Sequence, residues 1–131
     1  FTMKKLLALL FSFFLLSSPS VFAMNVSLSC EAKRVEGDGE KLEYTSFGTI
    51  YPNMIINLEK KEIIYSYFEH DMRWTNTFMI LKEDEFNIMG AKDMDDASHT
   101  TILHFNKQNK TFSNVWIGNS GSTITYGRCF D

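Results

Sequence analysis

The chain contains two cysteines, Cys30 and Cys129, near the beginning and the end of a region rich in β-forming residues. Residues 123–130 have the composition of a closing β-strand, because four of the eight, Thr123 to Tyr126, are β-branched or aromatic. Two cysteines in an exported domain usually form a disulfide. The sequence therefore predicts a Cys30–Cys129 bridge that holds the first and last strands side by side. Closing a loop of about 100 residues stabilises a fold by about 4.7 kcal/mol in the loop-entropy model.

The first 23 residues have the three parts of a secretory signal peptide. A basic start with Lys4 and Lys5 precedes an apolar run over residues 6–16, a Ser-Pro break and the small-residue spacing of Val21-Phe-Ala23. The apolar run is shorter than the roughly 20 residues of a membrane-spanning helix, so the alternative, a short N-terminal anchor, is less favoured. We expect a signal peptide at residues 1–23 and a single periplasmic or secreted domain at 24–131, with no membrane insertion after cleavage.

The charge of the predicted mature chain argues against two classes of partner. Two of the 13 Lys and Arg residues lie in the signal, which leaves 11 basic and 16 acidic residues and a net charge of −5. A mildly acidic surface without a basic cluster is unsuited to nucleic acid or to an anionic membrane. About 108 residues suffice for one domain with a modest core, and we expect a monomer.

Short β-forming runs separated by polar turns recur along the whole predicted domain, and no long stretch has helical periodicity. The predicted strands are residues 26–33, 42–50, 54–58, 63–68, 77–81, 86–89, 100–105, 111–117 and 123–130. Eight or nine strands joined by hairpins predict an all-β antiparallel meander, closed into a small barrel or a strongly curved sandwich by the disulfide.

The segments between these strands are predicted as turns and loops. Lys-rich tips at residues 59–62 and 106–110 have the length of common hairpin loops. Residues 35–41 are predicted to contain a solvated turn, and residues 91–98 a polar loop. A helix of one or two turns is the alternative for residues 71–76 and 93–98.

No residue pattern of an active site or metal site occurs. His99 shares a strand face with Thr101, Leu103 and Phe105, whereas His104 points to the opposite side, so the two cannot chelate one metal. Residues 93–96, Asp-Met-Asp-Asp, begin like a calcium loop, but Ser98 and His104 stand where such a loop has glycine and glutamate. We therefore expect no cofactor, no catalytic residues and no enzymatic activity.

Aromatic side chains are the compositional excess, with seven Phe, five Tyr and two Trp after residue 23. Tyr65 and Tyr67 share one face of their predicted strand, and Trp116 shares a face with Phe112. Such residues usually fill the core of a small barrel, but they can also line a partly open barrel that holds an apolar ligand. Arg73 and Trp74, predicted to lie in a loop, are candidates for contact with a protein. The candidate binding residues are Arg73, Trp74, Trp116, Tyr65 and Tyr67.

The chain combines a signal-like start, a first strand that carries Cys30, Lys-tipped hairpins and the closing sequence Gly-Ser-Thr-Ile-Thr-Tyr-Gly-Arg-Cys at residues 121–129. In this layout it resembles small exported β-barrel proteins of Gram-negative bacteria, and in architecture it is similar to periplasmic lysozyme-inhibitor-like and lipocalin-like barrels. The resemblance implies a barrel fold for the mature chain. It carries over no functional residue, because the Gly-x-Trp of lipocalins and a loop that enters a lysozyme cleft are both missing.

The sequence leaves three classes of function open. The leading hypothesis is a non-enzymatic binding domain that contacts an unknown protein through loops such as residues 71–76 and 91–98. The second is a carrier of a small apolar ligand in an aromatic-lined barrel interior. The third, an enzyme, would need His or acidic side chains from separate strands to converge in a pocket.

Overall fold

The computed structural model describes residues 24–92 and 99–131. The predicted signal peptide, the alternative helix at residues 93–98 and the start of the calcium-loop candidate lie outside these residues. The described chain forms nine strands: β1 (Asn25–Asp38), β2 (Glu43–Ile50), β3 (Asn53–Asn57), β4 (Glu62–Glu69), β5 (Met72–Glu83), β6 (Asn87–Lys92), β7 (His99–Asn106), β8 (Thr111–Gly118) and β9 (Gly121–Phe130). The predicted all-β class is confirmed. Within these two ranges there is no helix long and apolar enough to cross a bilayer.

Eight of the strands close into an antiparallel barrel. Each strand from β3 to β8 pairs with the next one along the chain, and β1 closes the ring by pairing with both β3 and β9. The long β1 strand uses Asn25–Ser29 for β3, while Ala32–Asp38 pair with β2 along the same edge. Strand β2 therefore lies outside the ring, on the same edge of β1 as β3. Pro52 lies between β2 and β3 along the chain.

The predicted disulfide is confirmed, and it joins the two ends of the meander. Cys30 on β1 lies directly opposite Cys129 on β9, with their Cα atoms 4.0 Å apart. Their backbone N–H groups donate elsewhere, to the carbonyls of Pro52 and Lys110. Both sulfurs are buried inside the barrel, so the bridge belongs to the core as well as to the β1–β9 ladder.

Asparagine side chains fix the two Lys-rich hairpin tips that the sequence predicts. Asn57 Oδ1 accepts a hydrogen bond from the N–H of Lys60. In the other tip, Asn106 Oδ1 accepts from the N–H groups of Gln108 and Asn109. Lys61 and Lys110, which end the tips, have left-handed φ angles of 54° and 57°. An Asx side chain that mimics a backbone turn accounts for the register of both hairpins.

Three predicted boundaries are wrong, one of them at β6, which includes Ala91 and Lys92 of the predicted polar loop. Strand β1 continues to Asp38 through the predicted turn, because β2 and β9 pair with both of its edges and their ladders outweigh its low β propensity. Strand β5 begins at Met72, which excludes a helix at residues 71–76. The turn before it consists of His70 and Asp71, whose φ angles of 54° and 59° are those of a two-residue type I′ hairpin.

One half of the barrel interior is solidly filled. The inward side chains near the disulfide are apolar and at most a few per cent exposed: Leu28, Met54, Ile56, Ile63, Phe78, Ile88, Leu103, Phe105 and Phe112. They alternate with exposed neighbours along each strand, as the strand period of two requires. The inward positions toward the opposite end of the barrel are polar or aromatic, and there the interior opens.

Candidate functional site

A cavity of about 560 Å³ occupies the end of the barrel where the β4–β5 and β8–β9 turns lie. We call it the mouth cavity. Trp74 and Trp116 at its rim are 46% and 39% exposed, whereas Tyr65 at its inner end is 1% exposed. The cavity is therefore open to solvent at the rim and closed at the bottom by the apolar core.

The floor of the mouth cavity carries two polar atoms without a hydrogen-bond partner. The hydroxyl oxygen of Tyr65 and Oδ1 of Asn114 are both buried, and neither has a partner within the described residues. The Tyr65 ring is held by Phe78 and Phe112, whose centroids lie 6.4 and 5.9 Å away. Both residues line the cavity, and these two buried polar atoms lie at its inner end.

Burial raises the pKa of the Tyr65 hydroxyl, and the neighbouring Tyr67 raises it further. The Asn114 amide lowers this pKa in part, although no hydrogen bond of normal geometry joins the two side chains. Burial is the larger effect because it removes water from the charged form. At neutral pH the hydroxyl is therefore protonated and can both donate and accept a hydrogen bond.

Three aromatic side chains form the walls. Tyr67 and Trp74 are cross-strand partners on β4 and β5, and the Tyr67 ring lies 5.8 Å from that of Tyr65. Trp116 on β8 lies 5.6 Å from the His99 ring, and its indole covers Gly118, where an added Cβ would come within 2.7 Å of it. The glycine thus leaves room for the indole to lie along the wall.

An ion pair at the cavity wall joins strands β1 and β4. Arg34 Nη1 on β1 donates to Glu69 Oε2 on β4 at 2.7 Å, and Arg34 Nη2 lies 3.5 Å from Glu36 Oε1. Burial lowers the pKa of Arg34, but the hydrogen bond and charge of Glu69 outweigh it and raise the pKa overall. The guanidinium is therefore neutralised by two carboxylates.

A second cation, Lys92 on β6, has a different environment. Its Nζ donates to Oδ1 of Asn76 on β5 at 2.9 Å, and both residues line the cavity. Within residues 24–92 and 99–131, no Asp or Glu carboxylate forms an ion pair with Lys92. Within the same two ranges, the hydrogen-bond partner of this partly buried charge is a neutral amide.

The structure brings together four of the five predicted binding residues. Tyr65, Tyr67, Trp74 and Trp116 line the mouth cavity, whereas Arg73 pairs with Phe68 on the exposed surface. The expectation that Trp74 lies in a loop is wrong, because it is an inward residue of β5.

Sequence reasoning missed the polar residues of the cavity, Arg34, Asn76, Lys92 and Asn114. Asn114 had a visible signal, since it lies on the same strand face as Phe112 and Trp116. Lys92 had none, because the sequence predicts a loop over residues 91–98. No strand pattern identifies which of these side chains meet inside the barrel.

The mouth cavity is lined by both aromatic and polar side chains. Besides its aromatic walls, it has neutral hydrogen-bonding side chains from four strands: Asn76, Thr101, Asn114, Ser122, Thr123 and Thr125. No group of three or more potential metal ligands occurs in the described part of the chain. No protein-family model matches the chain, and no curated protein shows significant similarity to it.

Proposed function

We propose that this chain is an exported, non-enzymatic binding domain whose mouth cavity holds a small hydroxylated ring compound of the carbohydrate class. The observation that carries the proposal is the pair of buried, unpartnered polar atoms, Tyr65 Oη and Asn114 Oδ1, at the bottom of a cavity with aromatic walls. The Cys30–Cys129 disulfide is compatible with an oxidising, exported environment.

The unpartnered atoms favour a ligand with a hydroxyl or amide at its inner end. A buried polar group without a hydrogen bond costs about 1–3 kcal/mol. A ligand that reaches Tyr65 and Asn114 would remove that cost, and an apolar ligand would not. The apolar-ligand carrier that the sequence leaves open is therefore less suited to this cavity than a polar ligand is.

The walls favour a ring with apolar faces and polar edges. Trp74, Trp116 and Tyr67 offer flat surfaces for the C–H faces of a sugar ring, and the surrounding hydroxyls and amides can bond its hydroxyl groups. A volume of about 560 Å³ lies within the range of small-molecule sites, which is about 300–1,000 Å³.

Titration of intrinsic tryptophan fluorescence tests the proposal. We expect a saturable change on addition of neutral or acidic monosaccharides and disaccharides to the oxidised protein, because Trp74 and Trp116 are the chain's two tryptophans. Trp116→Ala should weaken binding about tenfold, given the usual 0.5–1.5 kcal/mol of an aromatic contact beyond its buried area.

Tyr44→Ala is the matched control, because Tyr44 is 74% exposed and does not line the mouth cavity. The variant should bind as the wild type does. The proposal fails if no sugar of either charge class gives saturable binding. It also fails if Trp116→Ala and Tyr44→Ala have equal effects on affinity.

Contact with a protein is the second candidate function, and one feature of the outer surface favours it. A row of cross-strand partners on six neighbouring strands is apolar throughout: Met79, Ala91, Ile102, Val115, Ile124 and Val35. Met79 and Ile102 are 54% and 41% exposed. Contiguous exposed apolar surface often marks a protein interface.

A charge placed in this outer row tests the second candidate. Ile102→Glu should abolish the cross-linking of the native protein to a partner protein of the exported fraction. Thr100→Glu should preserve this cross-linking, because Thr100 is on the same strand but outside the row. Equal cross-linking by the wild type and Ile102→Glu would exclude the row as the contact surface.

A further inference from the structure

We infer that the ligand of the mouth cavity is acidic, a sugar whose carboxylate binds the ammonium group of Lys92. The inference rests on the proposed function and names the chemical class within it. Lys92 lines the cavity and is partly buried, with a hydrogen bond to the neutral amide of Asn76. A partly buried charge normally has an opposite charge beside it, and a bound anion would supply one.

Among the described residues, the other charged groups at this cavity, Arg34, Glu36 and Glu69, are paired with one another. Arg34 lies against two carboxylates, Glu36 and Glu69, so this cluster has an excess of one negative charge and no capacity for an anionic ligand. The cluster is on the β1–β4 side, whereas Lys92 is on β6. An anion that enters the cavity is therefore attracted to Lys92 and repelled from the opposite wall, which fixes its orientation.

The strand register places Lys92 near the aromatic walls. Ala91 pairs with Ile102, which sets Lys92 beside Thr101, and Thr101 pairs with Trp116. Lys92 and Trp116 thus lie two strands apart, about 10 Å at the backbone. On the other side of Lys92 lies strand β5, which carries Asn76 and, two residues before it, Trp74. A sugar ring between the two indoles can therefore extend a substituent to the Lys92 ammonium.

One lysine matches a carboxylate better than a phosphate. A phosphate carries up to two negative charges and is usually held by several donors, such as a bidentate arginine or successive backbone N–H groups. The arginine of this cavity is already bound to Glu69 at 2.7 Å. A singly charged carboxylate matches the single positive charge of Lys92.

A matched pair of probes isolates the carboxylate. D-glucuronate and D-glucuronamide differ only in the charged group, and calorimetric titration of the oxidised protein gives the affinity for each. We expect glucuronate to bind about ten- to a hundredfold more tightly, the range of a hydrogen bond between charged groups. The difference should shrink in 0.5 M salt, since part of it is Coulombic attraction at a solvent-open site.

Variants at one position assign the effect to Lys92. Lys92→Met should abolish the preference for glucuronate over glucuronamide, and saturable binding of glucuronamide by this variant would show that it is folded. Lys92→Arg should retain most of the preference. Lys60→Met is the matched control, because Lys60 is an exposed residue of the β3–β4 hairpin tip and does not line the cavity.

The outcomes separate this inference from the proposed function. Equal affinity for glucuronate and glucuronamide overturns the acidic class, while the binding of neutral sugars would still support the mouth cavity as a sugar site. Tighter binding of D-glucose 6-phosphate than of glucuronate, lost in Lys92→Met, overturns the carboxylate in favour of a phosphate. Absence of binding by every probe overturns both.

Discussion

Removal of the Cys30–Cys129 bridge should lower stability mainly by freeing the unfolded chain. The bridge closes a loop with a sequence separation of 99 residues, which corresponds to about 4.7 kcal/mol in the loop-entropy model. The native barrel does not depend on the sulfurs for its closure, because β1 and β9 pair over ten positions from Ser29–Phe130 to Asp38–Gly121. We therefore expect the variant Cys30→Ala/Cys129→Ala to fold to the same barrel.

Equilibrium unfolding in urea measures the effect. The double variant should lose about 4–5 kcal/mol in free energy of unfolding, and its melting temperature should fall by about 20 °C for a domain of this size. Its m value should rise, since an unbridged unfolded chain exposes more surface to denaturant. A double variant avoids the single free thiol that Cys30→Ala alone would leave at Cys129.

A second measurement separates the cross-link from the lost packing. Both cysteines are buried in the core, so alanine also removes two buried sulfur atoms. Wild-type protein that has been unfolded, reduced and refolded in reductant keeps those atoms and lacks only the bond. The reduced wild type should therefore lose most of the free energy that the double variant loses, and the remainder is the packing of the two sulfur atoms. Unchanged stability in both, or a loss without any change in m value, would refute the unfolded-state mechanism.

Two further predictions concern the cavity floor and the β1–β9 contact. Burial raises the folded-state pKa of Tyr65 above its ordinary value of 10.0. The stability that this shift contributes is complete below pH 10 and falls as the pH rises through the folded-state pKa. The urea midpoint of Tyr65→Phe should therefore fall less between pH 9 and pH 11 than the midpoint of the wild type. An equally steep fall in both proteins would contradict this prediction. At Gly127, an added Cβ would lie 2.1 Å from the carbonyl oxygen of Glu31 and 2.6 Å from Cα of Ala32, both backbone atoms. Gly127→Ala should cost at least about 1–3 kcal/mol in urea unfolding, more than Gly118→Ala, whose Cβ meets the movable indole of Trp116; equal losses would contradict the prediction.

Much of the fold follows from short-range sequence pattern. Alternation of apolar and polar residues along β1 and β7 predicts strands because side chains of a strand point alternately to two faces. Polar turn residues between such runs predict hairpins, and Cys30 and Cys129 predict which strands end up adjacent. The face shared by His99, Thr101, Leu103 and Phe105 is inward in the structure, as the period of two requires.

The strand ends were harder to predict because local propensity does not decide them. His70 and Asp71 form a tight type I′ turn without the Asn-Gly signal of such turns, so the start of β5 at Met72 was not visible. Asp38 remains in β1 because strands on both sides supply hydrogen-bond partners. Both boundaries depend on pairing with neighbours that lie elsewhere in the chain.

The sequence alone determined that this chain forms β-hairpins, that its ends are joined and that aromatic residues share strand faces. Only the tertiary structure decided that one half of the barrel is filled and that the other half is a cavity. Tyr65, Lys92 and Asn114 come from β4, β6 and β8, and they meet because the ring closes. Strand patterns specify which face a residue occupies, whereas the distances across the interior depend on the closure and stagger of the whole barrel.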